Sequence, residues 1–231
     1  MVAFFFALAI YGLFFDSYPP RSYYCLLNGC TNLPPFVNWA HPLGTELSGI
    51  DVLNEIIHGA SGDLYVGVVA TIIAVAIGIV VGAIAGYRGG TLGALLLGVT
   101  QVFFVLPFLV LILLFSKIAI TVVAQSLGLT AIMLILAIFG WPTIAYIARG
   151  EILRVRELEF VQASKALGAS NMRIIFRHIV PNILSPIIVV ASLSVAGNIL
   201  TEVVISFLGF GPTGTSTWGQ VMSARVPAKM E

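Results

Sequence analysis

Side chains able to do chemistry are few in this 231-residue chain, and they are scattered. Its three lysines, Lys117, Lys165 and Lys229, follow Ser116, Ser164 and Ala228. No glycine-rich loop ending in Gly-Lys-Ser/Thr is therefore present to cradle nucleotide phosphates. Histidines stand at 41, 58 and 178 without metal-ligand spacing, and neither G-x-S-x-G nor H-E-x-x-H occurs. No catalytic residue, cofactor-binding residue or metal ligand is assigned, and no cofactor is expected on this chain. Cys25 and Cys30, with four residues between them, could close a disulfide in an oxidising compartment or remain two thiols. Glu202 is the one good candidate for an ionisable group deep in an apolar run, with Lys117 near the end of another. It reads either as a packing carboxylate or as a gate in a substrate pathway. An ion-coupled carrier would usually show more such groups.

The surroundings of these residues set the class. Hydrophobic side chains make up 59% of the chain and charged ones only 9%, against about 25% charged in soluble domains. The mean hydropathy is +1.05. A water-soluble enzyme is excluded on these grounds. Eleven basic residues against ten acidic ones leave a net charge of +1, so the basic footprint of a nucleic-acid binder is missing too.

Uncharged runs cover 64–87, 89–116, 118–148 and, apart from one histidine, 178–201. Each is long enough to cross a bilayer, since about 20 apolar residues at 1.5 Å rise span a hydrocarbon core of about 30 Å. The run 22–45 is also free of Lys, Arg, Asp and Glu, but Pro34, Pro35, Pro42 and Gly29 make it a loop. The apolar start at 2–15 is too short to cross comfortably. It lacks the basic lead of a signal peptide and reads as a shortened first membrane helix.

Spans are thus expected near 2–15, 64–87, 94–116, 128–148 and 182–208. Amides unpaired in lipid cost several kcal/mol, and the runs lack the alternation of a barrel. The expectation is an all-α polytopic membrane bundle of about five crossings. Residues 1–63 would be the first helix and an outer loop, and 64–231 the core. Arg88 and the basic residues of 149–178 place that side in the cytoplasm by the positive-inside rule, with 16–62 and the C-terminal tail outside.

Within the second span Gly78, Gly82 and Gly86 lie along one face, where backbones can approach closely. The partner is another helix of the same chain or another subunit. Pro107, Pro142, Pro181 and Pro186 each remove a backbone donor and favour a kink.

The charged loop 149–181 is patterned. Good helix formers run from Glu157 to Leu167, Gly168 suits a left-handed cap, and Ser170 can cap a second helix that leads into the next span. Phe160, Ala163, Ser164 and Leu167 fall on one side of the short helix. That apolar face either docks a partner or packs on its own bundle or the lipid surface.

The stretch FVQASKALGAS (160–170), followed by IVPN (179–182), resembles the E-A-A…G…I-x-L-P loop of ABC importer membrane subunits. HPLGT (41–45), GWP (140–142), RIIFRHIVPN (173–182), SFLGFG (206–211) and WG (218–219) are similar to the dipeptide, oligopeptide and nickel permease branch. The resemblance runs from about residue 41 to the end.

It implies a multi-pass subunit of the plasma membrane with the type I importer fold. That subunit would form half of the translocation pathway for peptides or similar small polar solutes. A second homologous permease subunit, two cytosolic ATPase subunits carrying ATP-Mg, an extracytoplasmic solute-binding protein and membrane lipid would be its partners. Phe160, Val161, Gln162, Ala163, Ser164, Lys165, Leu167 and Gly168 would form the coupling helix and its turn, seated in an ATPase cleft. Gln162 stands where the motif opens with Glu, and Ser164 replaces its second Ala. Where the family often has G-R-D-V-L-S-R, 49–55 lacks both arginines. The family also expects a final helix after the Trp-Gly segment.

Two other classes stand beside this one. An ion-driven carrier would transport without ATPase subunits and collapse with the proton gradient. A truncated or degenerate permease would be a scaffold that does not transport.

Overall fold

The computed structural model describes residues 31–46, 49–122, 127–212 and 217–223, together with Ala7 and Tyr11. Apart from those two positions, the expected first span lies outside the described residues, as do Cys25 and Cys30 and the basic residues Arg21, Arg225 and Lys229. Among the described residues the regular structure is helical, and the only bridges are isolated ones, Asn38 with His41 and Thr45 with Asp51.

Helix α1 covers Val52–Ala83 and runs on through a π-helical turn, Ile84–Arg88. It begins well before the uncharged run at 64, because Asp51 caps it. Oδ1 of Asp51 accepts from the N–H groups of Leu53 (2.8 Å) and Asn54 (3.3 Å), satisfying amides the first turn leaves open. His41 Nδ1 meets Oδ2 of the same carboxyl at 2.6 Å. Part of the expected outer loop is therefore helix.

The expected single crossing at 94–116 is instead two helices, α2 (Gly90–Val105) and α3 (Phe108–Val122), bent by 87°. Leu106 between them is extended, with ψ 135°, as the residue before a proline prefers to be. Pro107 has no N–H to continue the ladder.

Helix α4 spans Leu129–Val155 and passes through Pro142 without ending. Short helix α5 is Glu159–Ala166 and α6 is Asn171–Ile174. A π-helical turn, Ile175–Ile179, leads into α7, Val180–Ile205, which contains Pro186 and ends in a further wide turn, Ser206–Phe210. The wide turn before Pro181 accommodates the backbone where that residue has no donor. Helix α8 is Trp218–Ser223. Among the described residues three helical stretches are long and apolar enough to cross a membrane, Val52–Arg88, Leu129–Val155 and Asn171–Phe210. The bent pair, taken as one, makes four.

The chain divides into two compact units, one of 1–67, 116–132 and 199–231, the other of 68–115 and 133–198. In the second, the glycine face of α1 packs on α4. A Cβ at Gly78 would lie 2.6 Å from Cβ of Ile144, and one at Gly82 would lie 2.7 Å from that of Ala148. The face thus serves packing within the chain. Phe103 of α2 stacks against Phe139 and Trp141 of α4 at centroid distances of 5.8 and 5.5 Å, tilted as aromatic quadrupoles favour. Ile144, Ala148 and Ile152 of α4 continue into one buried cluster with Val161, Ile174 and Ile183.

Candidate functional site

The loop between α4 and α7 folds as helix, turn, helix, and its local chemistry explains each boundary. Leu158, extended at ψ 145°, precedes α5, and its carbonyl accepts from Val161 (3.0 Å) and Gln162 (3.1 Å). At the other end Gly168 takes φ +81°, a left-handed conformation that costs a residue with a Cβ about 1–2 kcal/mol. Its N–H donates to Lys165 O at 3.0 Å, and that of Ala169 to Ser164 O at 3.1 Å, the paired bonds of a Schellman cap. Ser170 then starts α6, its Oγ accepting from Arg173 N at 3.4 Å.

Val161 is the only buried residue of α5, and it joins the cluster with Val155, Ile174 and Ile179. Gln162 Nε2 donates to Arg156 O at 2.9 Å, so the amide in place of the motif's glutamate tethers the helix to the turn before it. Ser164 Oγ donates to Phe160 O at 2.8 Å and lies 3.5 Å from His178 Nε2, while the Phe160 ring sits 6.2 Å from that imidazole. The face of Phe160 and Ser164 thus leans on His178. Ala163, Lys165 and Leu167 are exposed, Leu167 by 88%, and Phe160 keeps 42% of its surface open. Six of the eight residues singled out from the sequence lie in α5, Leu167 is its C-cap and Gly168 closes the turn.

Glu202 lies elsewhere, in the first unit. It is fully buried, and Ser206 Oγ donates to its Oε1 at 2.6 Å. Its carboxyl meets that of Asp63, also fully buried. Asp63 Oδ2 accepts the backbone N–H of Trp218 at 3.1 Å. Asp63 was missed in the sequence because it sits one position outside the uncharged run that begins at 64. Among the described residues no three His, Cys, Asp or Glu side chains gather into a group able to hold a metal ion.

Residues 78–228 match the model of the family described as binding-protein-dependent transport system inner membrane component. The chain is similar to the dipeptide transport system permease protein DppC of Bacillus subtilis, at 34% identity over 197 residues, covering 85% of this chain and 59% of that protein. It is also similar to the oligopeptide transport system permease protein OppC of Escherichia coli K12, at 38% over 190 residues, covering 82% of this chain and 61% of the relative. The OppC of Mycobacterium tuberculosis H37Rv is 36% identical over 171 residues, covering 74% and 57%. The chain thus spans about three fifths of the length of the relatives it matches. Membrane-length helices and the matched region agree: the chain is a multi-pass membrane protein of the binding-protein-dependent transport system inner membrane component family.

Proposed function

We propose that this chain forms half of the translocation pathway of an ATP-driven importer for peptides or similar small polar solutes, and that α5 couples it to separate ATPase subunits. The family and the permeases it resembles support this reading. The observation that carries it is the mounting of α5. One buried side chain and two hydrogen-bonded ends fix a helix whose other side, with Ala163, Lys165 and Leu167, is open. A partner clamping that side moves a rigid lever attached to α4 and α7. Phe160, Gln162 and Ser164 set its pitch, and Gly168 holds the turn.

In this reading 149–181 is the cytoplasmic coupling loop, and 1–63 carries an extracytoplasmic segment that leads into the first turns of α1 at Val52. ATP-Mg is bound and hydrolysed by two cytosolic partners, a second homologous permease subunit completes the pathway, and a solute-binding protein delivers the cargo. Glu202, with Asp63, secures the segment at Trp218 and acts as a gate latch.

The test is Gly168→Val in the full complex with ATPase and binding-protein partners in liposomes. Solute-stimulated ATPase activity is expected to be largely lost while the complex still assembles. Unchanged stimulation would contradict the coupling role.

A further inference from the structure

A cavity of about 600 Å³ lies between the end of α1 and the near side of α5, wholly within the second unit. Tyr87 and Arg88 line it from the π-helical turn, Arg156 and Glu157 from the turn before α5, and Gln162 and Lys165 from α5 itself. Its size is that of a small-ligand site.

Its charge is one-sided. The single carboxylate, Glu157, is taken up by Arg156, whose Nε donates to Oε1 at 2.8 Å while Nη1 is fixed on Gly86 O at 2.9 Å. Among the described residues Arg88 and Lys165 form no ion pair. Two positive charges thus border the cavity without a counter-charge. Tyr87 donates its hydroxyl to Asn171 Oδ1 at 3.1 Å, which turns the amide N–H₂ of Asn171 into a further donor.

Position narrows the ligand. Arg88 is the last residue of a helix long and apolar enough to cross a membrane, and no charge precedes it back to Leu64. The donors converge where the apolar run stops, the level at which headgroup phosphates lie. Basic pockets between membrane helices at that level hold anionic headgroups.

We propose that this cavity binds a phosphate-type anion, gripped by Arg88, Lys165 and the free N–H groups of Arg156. Its place at the end of the apolar run makes an anionic lipid headgroup the favoured source over free phosphate. The site shares Lys165 with the open side of α5, and its test therefore uses this chain without a partner seated there.

The full chain is purified in neutral detergent and incubated with equal amounts of phosphatidylglycerol and phosphatidylcholine, and the retained lipid is counted by native mass spectrometry. Arg88 and Lys165 are both exposed, so the R88Q/K165Q variant keeps its fold. R173Q/R177Q carries the same charge change on exposed residues outside the cavity. The wild type is expected to prefer phosphatidylglycerol by roughly thirtyfold, the effect of two basic residues near a membrane surface. R88Q/K165Q is expected to lose most of that preference and R173Q/R177Q to keep it. Competition by excess inorganic phosphate supports the anion site with free phosphate as ligand, and absence of competition supports the lipid. An unchanged preference in R88Q/K165Q, or an equal loss in R173Q/R177Q, would overturn the proposal.

Discussion

The backbone N–H of Trp218 donates to Oδ2 of Asp63 at 3.1 Å, joining positions 155 residues apart. A second bond runs beside it, from the indole Nε1 of Trp218 to the carbonyl of Ile56 at 2.9 Å. Helix α8 is thereby stitched to the first turns of α1 by one residue that uses both its backbone and its side chain.

Trp218→Phe removes the indole donor and leaves the backbone bond. Losing one such hydrogen bond costs about 0.5–1.5 kcal/mol, with a further loss from the smaller ring. Denaturant unfolding of the purified protein in detergent should show the midpoint falling. No change would mean that the indole contributes nothing to the attachment.

At Glu202 the substituted group decides the result. In Glu202→Gln the amide oxygen still accepts from Ser206, and its N–H₂ supplies the hydrogen that a contact with the Asp63 carboxyl needs. Stability should stay within about 1 kcal/mol of the wild type. Glu202→Ala strips a buried hydroxyl and a buried carboxyl of a partner, at about 1–3 kcal/mol. The two unfolding curves, measured side by side, check the ordering; equal losses would refute it.

Val161 and Leu167 separate holding α5 from using it. Val161→Ala removes two buried methyl groups and leaves a cavity, so it should cost about 2 kcal/mol. Leu167 is 88% exposed, and Leu167→Ala should leave stability within about 0.5 kcal/mol while lowering solute-stimulated ATPase activity in the assembled importer. A Leu167→Ala complex with full stimulation would remove that residue from the docking face.

The glycine face offers an internal control. Gly82→Val forces a side chain onto Ala148, where a Cβ alone would lie 2.7 Å away, and should cost about 1–3 kcal/mol. Gly140→Ala meets only Cβ of Ala74 at 3.6 Å and should stabilise by about 0.5–1 kcal/mol through the restricted unfolded chain. Thermal unfolding in detergent distinguishes the pair.

What could be read without coordinates was local. Gly168 and Ser170 announced the turn and the next helix because a left-handed cap and an N-cap hydroxyl depend on one residue each. The face Gly78, Gly82, Gly86 announced close packing, but its partners Ile144 and Ala148 come from far along the chain, and spacing says nothing of them. Locating spans by charge placed the start of α1 at 64 and so passed over Asp63, whose burial depends on α7 and Trp218. Hydropathy likewise ran 94–116 together, since Leu106 and Pro107 are apolar even though the backbone there cannot continue the helix. The basic cavity was equally hidden: Arg88 and Lys165 border the same cavity only after the chain returns.

The wide turns at Ile84–Arg88 and Ile175–Ile179 flank the short helix from both sides. Each holds one more residue than an α-helical turn needs, a kink of slack in an otherwise taut rod. Releasing that residue would swivel everything beyond it by about 100°, one residue's worth of helical rotation, without unpairing the remaining ladder. Only Ile175–Ile179 lies on the chain path from the short helix into α7, so in the proposed coupling torque on the lever would reach that long rod through a built-in swivel, as axial rotation rather than bending.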